Sequence, residues 1–303
     1  MEIRVSFQDL KSKMIPSYEA GDAVIIDYKK QFLTYRELAE TLSQFNLPYH
    51  LVCENLNIKD ADDEELHDLN FRENMLSFSS DVAEFTCTGF FADCRNLIKV
   101  NLPYVEEIEM NEFRDCKNLV EVSIPNACTI RFGAFFGCSN LKSIQLPLVS
   151  FIEEYAFKGC KNLEQIDMKS VAYIDDYVFC ECSGLMKVNM SEVEEIGIGA
   201  FGGCFNLEKL ELPHVKWIGD EAFEECGSLE YVDIPVAESI GSYAFSNCYS
   251  LETMNAPSVK EVGEEAFFMC SSMKNYNLTE KLNNSDYLLL DQIIDVSPDV
   301  LGD

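Results

Sequence analysis

Histidine, tryptophan and positive charge are scarce in this sequence. Its 303 residues include three histidines and one tryptophan, and 23 Lys and Arg stand against 53 Asp and Glu, for a net charge of −30. His50, His67 and His214 are far apart in the sequence, so no histidine-based catalytic pair is indicated. Because a polyanion repels phosphates and acidic membrane surfaces, we expect neither nucleic acid nor a membrane as a partner.

Long apolar runs are also missing. No stretch approaches the roughly 18 apolar residues of a membrane span. The first residues, Met-Glu-Ile-Arg-Val-Ser-Phe, lack the basic and then apolar segments of a signal peptide. We therefore predict no membrane insertion and a cytoplasmic location. A secreted or cell-surface location is the alternative if a leader has been removed.

Motifs that carry chemistry are few. No glycine-rich phosphate loop follows a predicted strand. Cys180-x-Cys182 is not followed by a second pair at zinc spacing, and the acidic run at 60–65 lacks the glycine and the spaced ligands of a calcium loop. We predict no catalytic residue, no cofactor and no metal, and a protein that is not an enzyme.

One phrase, Ala-Phe-x-x-Cys-x-x-Leu, recurs through the middle of the chain. Its phenylalanine returns every 22 residues without insertion, as Phe91, Phe113, Phe135, Phe157, Phe179, Phe201, Phe223, Phe245 and Phe267. A fixed period of this length is typical of solenoids, in which each repeat buries its apolar residues against its neighbours. The sequence therefore predicts a stacked repeat fold.

The apolar positions that follow each cysteine predict one strand per repeat. A leucine (methionine in the last repeat) comes three residues after the cysteine, and two further apolar residues follow with a spacing of two, as in Val100 and Leu102. A spacing of two is strand periodicity, and proline ends this strand in six repeats. A second apolar pair, such as Val105 and Ile108, predicts an opposite wall. A tight bend before the next Ala-Phe is predicted at Gly197, Gly219, Gly241 and Gly263.

Nine of the 13 cysteines occupy a single repeat position. They are Cys94, Cys116, Cys138, Cys160, Cys182, Cys204, Cys226, Cys248 and Cys270. Nine stacked cysteines cannot all pair, and a cytosolic setting disfavours disulfides. We predict free, buried thiols that pack as small apolar residues.

Residues 1–60 do not repeat and predict a small α/β module or cap. Strands are indicated at 23–28 and 49–53, with a possible edge strand at 2–7. Between them, Thr34 and Glu37 form a capping box that opens a helix at 35–42.

The remaining flanks are predicted as a linker with a degenerate repeat at 61–87 and a helical cap and tail at 280–303. In the degenerate repeat, Met75 and Phe78 precede Leu97 and Val100 by 22 residues. Ser285 is the expected N-cap of the C-terminal helix. The nine regular repeats span 88–279.

The repeat unit resembles the BspA-type leucine-rich repeat. The segment 218–235 is a close match, reading Ile-Gly-Asp-Glu-Ala-Phe-Glu-Glu-Cys-Gly-Ser-Leu-Glu-Tyr-Val-Asp-Ile-Pro. The resemblance implies a right-handed leucine-rich-repeat coil with a parallel β-sheet over residues 88–279. Similar proteins are often bacterial or protozoan surface proteins that bind host proteins or other cells.

The variable repeat positions form columns on the predicted surface. Two columns carry aromatic residues and two strand columns are largely polar or acidic. The candidate binding residues are Phe151, Tyr173 and Trp217; Tyr155, Tyr177 and Tyr243; and Asp167, Asn189, Glu211, Tyr231 and Asp233. Exposed aromatics are enriched at binding hot spots; the alternative is that these rings pack against neighbouring repeats.

These observations predict a monomeric, non-enzymatic scaffold that binds a basic or polar protein through the solenoid surface. Two alternatives stay open: a surface adhesin or host-directed effector of BspA type, and an enzyme whose site lies in residues 1–60. A pocket with convergent polar groups in that module would favour the enzyme.

Overall fold

The computed structural model describes residues 2–6, 9, 17, 19–27, 32–45, 47–54, 57–58, 70–81 and 88–278. Within them the chain forms two compact units, 1–149 and 150–303. The fold is a parallel-strand β-solenoid with little helix, as the sequence predicts. Over the described ranges, no helix is both long and apolar enough to span a bilayer. The acidic run at 60–65 and the predicted C-terminal helix lie outside the described residues.

The first unit is built on one parallel sheet. In spatial order its strands are β1 Glu2–Ser6, β2 Asp22–Asp27, β4 Tyr49–Glu54, β6 Met75–Ser80, β7 Lys99–Asn101, β9 Glu121–Ser123 and β11 Ser143–Ile144. Helix α1 (Tyr35–Leu42) lies between β2 and β4 in sequence, and a 3-10 turn spans Asn70–Glu73. The short strands β3 Phe32–Leu33 and β5 Asn57–Ile58 pair with each other, as do β8 Glu107–Ile108 and β10 Thr129–Ile130.

The N-terminal elements match their predictions closely. The side chain of Thr34 accepts a hydrogen bond from the backbone of Glu37, whose carboxylate accepts one from the Thr34 backbone, so the capping box is present. Leu38 and Leu42 are fully buried on one face of α1. Strand β6 pairs with β7 at an offset of 22, with Phe78 opposite Val100, which is the same offset as between the regular repeats.

The second unit has two walls of parallel strands. The front wall contains β13 Gln165–Asp167, β15 Lys187–Asn189, β17 Lys209–Glu211, β19 Tyr231–Asp233, β21 Thr253–Ala256 and β23 Asn275–Leu278. The back wall contains β12 Phe151–Ile152, β14 Tyr173–Ile174, β16 Glu195–Ile196, β18 Trp217–Ile218, β20 Ser239–Ile240 and β22 Glu261–Val262. Strands β14 to β22 pair in sequence order at an offset of 22.

The phenylalanines that recur every 22 residues form a stack of rings inside each unit. Phe91, Phe113 and Phe135 lie 5.2–5.3 Å apart between ring centroids, and from Phe157 to Phe267 the spacing is 5.2–5.7 Å. All of these rings are fully buried. Stacked aromatic pairs contribute about 0.5–1.5 kcal/mol beyond the area they bury, so the column stabilises the junctions between repeats within each unit.

The cysteine column is free and buried, as predicted. It is not only an apolar filler, however. In seven of the nine column cysteines the thiol donates to the carbonyl of the phenylalanine one repeat earlier; Cys182 Sγ, for example, lies 3.2 Å from Phe157 O, and Cys204 Sγ lies 3.3 Å from Phe179 O. Cysteine therefore combines a small apolar volume with a donor for a buried carbonyl.

The glycines predicted at a tight bend serve close packing. A Cβ on Gly241 would lie 2.5 Å from the backbone of Asp220 and Gly219, in the preceding repeat, and one on Gly263 would lie 2.3 Å from Ser242 N. Their backbones are not in the left-handed region. At Gly241 and Gly263 the backbones of successive repeats therefore approach each other too closely for a side chain.

Left-handed backbone occurs at two other positions of every repeat. The first position holds Gly89, Asn111, Gly133, Tyr155, Tyr177, Gly199, Glu221, Tyr243 and Glu265; the second holds Asp93, Asp115, Gly137, Gly159, Glu181, Gly203, Glu225, Asn247 and Met269. These turns let alternate N–H groups point at the next repeat: Tyr177 N donates to Ile198 O at 2.8 Å and Phe179 N donates to Ala200 O at 2.7 Å. The inter-repeat hydrogen bonds offset the cost of a non-glycine residue in this region.

Candidate functional site

Three large aromatic side chains stand on the outside of the back wall of the second unit. Each back strand has two residues. The second, such as Ile174 or Ile218, is buried in every strand except β22, where Val262 is half-buried, and the first points outward. Phe151, Tyr173 and Trp217 hold the outward position and expose 43%, 39% and 45% of their surface. We call these three residues the aromatic wall. Large exposed rings on rigid strands are typical of binding surfaces.

The register of the strands fixes the order of the side chains along this wall. Tyr173 is the partner of Glu195 on the next strand, and Glu195 is the partner of Trp217. Neighbouring strands lie about 4.8 Å apart, so Tyr173 and Trp217 stand about 9.6 Å apart with one carboxylate between them. Ile198, which is 40% exposed, adds apolar surface beyond the end of β16.

Carboxylates crowd one end of the aromatic wall. Glu154, Asp175 and Asp176 each place an oxygen within 4.8 Å of the others. Desolvation raises the pKa of Glu154 and of Asp175, and the neighbouring acids raise both further. Asp176 also accepts a hydrogen bond from Ile198 N at 2.7 Å, so part of this cluster supports the fold. Exposed acids come together on many surfaces, and this geometry does not by itself define a metal site.

A column of alternating charge runs beside the aromatic wall. Lys216 Nζ lies 2.5 Å from Glu194 and Lys260 Nζ lies 2.7 Å from Glu238, one repeat apart in each case. Lys216 is also 5.9 Å from the centroid of the Trp217 ring, at the outer limit of a cation–π contact. The lysines of this column are therefore engaged by their own glutamates.

The second aromatic column is packed rather than projecting. Tyr155 and Tyr177 stack at 5.3 Å with planes 9° apart, and Lys158 lies 5.6–5.7 Å from both rings. The Tyr177 ring covers Gly199, where a Cβ would lie 2.5 Å from Cε1. Tyr243 shares their left-handed backbone and is half-buried. Neighbouring repeats hold these rings, which agrees with the packing alternative for this column.

The front wall carries the polar candidates. Asp167 and Asn189 are exposed partners in the sheet, and exposed Glu211 is the partner of half-buried Asp233. Amides bridge the repeats here, since Asn255 donates to Asp233 at 2.6 Å and Asn277 donates to Asn255 at 2.8 Å. Lys209 pairs with Glu211 and lies 4.9 Å from the Tyr231 ring. Much of the hydrogen-bonding capacity of this wall is thus used within the solenoid.

The first unit contains a small cleft of about 200 Å³ at the carboxyl ends of β4, β6 and β7. It is lined by Val52, Cys53, Glu54, Ser79, Ser80, Asp81, Asn101 and Pro103. Glu54 pairs with Arg4 at 3.2 Å, and Asn101 donates to Ser79 at 3.1 Å. These bonds engage three of the polar residues that line the cleft, Glu54, Ser79 and Asn101.

A serine–histidine contact in the first unit was not predicted from the sequence. His50 Nδ1 lies 2.9 Å from Ser77 Oγ, across β4 and β6. Residues 50 and 77 are 27 positions apart, so the 22-residue period does not relate them. Both residues are half-buried, and among the described residues no hydrogen bond to the second ring nitrogen of His50 is found. The pair therefore lacks the orienting group that nucleophilic catalysis requires.

The comparisons with known proteins agree with this architecture. The sequence model for the BspA type leucine rich repeat region matches in six copies, over residues 85–204 and 194–291. The chain belongs to the BspA-type leucine-rich repeat family. The family resemblance drawn from the repeat unit is thereby confirmed.

Solved structures show the same fold. A leucine-rich repeat protein from Bacteroides ovatus ATCC 8483 is 25% identical, with 67% of this chain and 69% of that chain covered and a TM-score of 0.56. A leucine-rich repeat protein from Eubacterium ventriosum ATCC 27560 is 21% identical, with 84% of each chain covered and a TM-score of 0.54. Comparison with curated proteins finds no match.

Proposed function

We propose that this protein is a non-enzymatic scaffold that binds a protein partner through the aromatic wall. The exposure of Phe151, Tyr173 and Trp217 in the back wall carries the proposal. Elsewhere along the paired back strands the outward position holds polar residues, such as Ser239 and Glu261. Leucine-rich repeat proteins commonly bind proteins, and rigid columns of side chains are how solenoids do so.

The other candidate surfaces are weaker. The rings of Tyr155 and Tyr177 are stacked on their neighbours, and the front-wall residues Asp233 and Glu211 are engaged within the solenoid. Burying such groups under a partner would require breaking or desolvating these contacts. Tyr173 and Trp217 instead offer apolar area that water now covers.

An enzymatic role in the N-terminal module is less well supported. Its cleft is small, and Glu54 and Ser79 are bonded to neighbours. We propose that residues 1–60 act as a cap, because β4 and β6 continue the parallel sheet into the first regular repeats. Members of the family are often surface-associated; a cytoplasmic location for this chain remains a prediction that fractionation of the source cells would decide.

The test is affinity capture from the native lysate with three forms of the full chain. Wild type and Phe205→Ala are compared with the double variant Tyr173→Ala/Trp217→Ala. Phe205 is a matched control because it is an exposed aromatic residue, at 49%, outside the back wall. A partner retained by the first two proteins and lost by the third is expected. The same set of partners on all three proteins would show that the aromatic wall is not the binding surface.

A further inference from the structure

The aromatic wall lies in a field of negative charge. Glu195 separates Tyr173 from Trp217, and Glu154, Asp175 and Asp176 crowd the side of the wall next to Tyr173. Burial raises the pKa of the Tyr173 phenol, and the charges of Asp175, Asp176, Glu195 and Glu154 raise it further. The face of such a ring and the carboxylates around it both attract a cation.

The positive charge of the neighbouring column is already compensated. Lys216 and Lys260 are bound by Glu194 and Glu238, one repeat away from each lysine. The position of Lys216, 5.9 Å from the Trp217 centroid, shows that a cation can approach this ring. The carboxylates around Tyr173 therefore carry negative charge that positively charged groups of a partner could pair with.

We propose that the aromatic wall binds an extended, arginine-bearing segment of a partner protein, with guanidinium groups stacked on Tyr173 and Trp217 and paired with the adjacent carboxylates. This inference rests on the proposed function and adds the chemistry of the partner to it. Arginine fits better than lysine because its planar group stacks on rings and binds carboxylates with two parallel hydrogen bonds.

The spacing of the two rings sets the spacing of the arginines. Tyr173 and Trp217 are two repeats apart, about 9.6 Å at the strand separation of a sheet. A polyproline II segment rises about 3.1 Å per residue with three residues per turn, so side chains i and i+3 lie on one face about 9.3 Å apart. A segment of the form Arg-x-x-Arg that runs across the back strands would therefore place one guanidinium on each ring.

The experiment measures binding of a labelled peptide, Arg-Pro-Pro-Arg-Pro-Pro-Arg, to the full chain by fluorescence anisotropy. Tyr173→Ala and Trp217→Ala are each expected to weaken binding about five- to thirty-fold, from the strength of desolvated cation–π contacts. Glu154→Gln, which keeps the shape of the side chain, is expected to weaken it by a smaller factor. Phe205→Ala should leave the affinity unchanged, and circular dichroism verifies that each variant is folded.

Two control peptides test the chemistry and the spacing. A peptide with lysine in place of arginine, and one with arginines separated by three prolines, should both bind more weakly than the first peptide. Equal binding of the lysine peptide, no loss in Tyr173→Ala and Trp217→Ala, or no binding at all would overturn the inference. A captured partner that depends on the aromatic wall but is not displaced by the arginine peptide would leave the proposed function intact and refute this inference alone.

Discussion

Glu112 occupies a position that is alanine in most repeats and should make the stability of the first unit depend on pH. Ala134, Ala156 and Ala200 hold the equivalent positions. Glu112 is only 1% exposed; one carboxylate oxygen accepts a hydrogen bond from Phe90 N at 3.3 Å, and the other has no partner among the described residues. A buried carboxylate in such surroundings is costly, so the neutral form is favoured.

The magnitude follows from linkage between protonation and folding. Burial raises the pKa of Glu112 well above its usual value, Glu109 raises it further, and Phe90 N and Arg72 act in the opposite direction. Above the unfolded pKa and below the folded one, the native state holds a proton that the unfolded state has released. The free energy of unfolding then falls by about 1.4 kcal/mol for each pH unit, and the loss ends above the folded pKa.

The assay is chemical unfolding of wild type and Glu112→Gln between pH 4.5 and 8 (roughly the range over which a raised carboxyl pKa acts). Glutamine keeps the acceptor for Phe90 N and cannot ionise. The variant should gain stability over wild type as pH rises, by about 1.4 kcal/mol per unit. Glu106→Gln, a substitution of an exposed glutamate in the same unit, is the control. A difference between wild type and Glu112→Gln that does not change with pH would refute the argument that native Glu112 is held neutral by burial.

Two further predictions concern the packing of the repeats. Gly241→Ala should destabilise the protein by about 1–3 kcal/mol, because its Cβ would meet backbone atoms at 2.5 Å. Gly227→Ala should be neutral or slightly stabilising, because its Cβ would meet only a Tyr249 carbon at 3.9 Å. Equal shifts of the two denaturation midpoints would contradict this prediction. Among the described cysteines, exposed Cys128 should react with iodoacetamide in the native protein, and Cys226 should react only after unfolding, since burial raises its pKa. Mass spectrometry of the labelled peptides tests this, and equal native labelling of the two thiols would be the contrary result.

Much of the architecture was predictable because a repeat turns sequence positions into columns. The buried phenylalanines and the free cysteines both follow from the 22-residue period and strand alternation. The same period places Glu154 next to Asp176, one repeat later, so the acidic crowding could have been found by aligning repeats. Which column of aromatics packs and which projects could not be predicted, because that depends on the direction of each Cα–Cβ bond at a turn.

The left-handed backbone of the turn residues could not be predicted from the sequence either. Gly137, Gly159 and Gly203 share a repeat position with Asp115 and Glu181, and all five have positive φ. Glycine is the usual marker of that conformation, but here inter-repeat hydrogen bonds hold other residue types in it as well. A repeat position that holds glycine in some repeats and acidic residues in others therefore does not predict left-handed backbone unless the hydrogen bonds between repeats are known.

The sequence alone determined the family, the period and the identity of the core, because apolar residues that repeat at a fixed spacing are buried together when the repeats stack. Tertiary structure decided everything that depends on contact between repeats. It assigned a hydrogen bond to column thiols such as that of Cys182, a packing role to the glycines and a stacked partner to Tyr155. It also brought Trp217 and Tyr173 onto one exposed face with Glu195 between them. Such contacts join residues 22 or more positions apart, and their geometry is set only when the repeats stack.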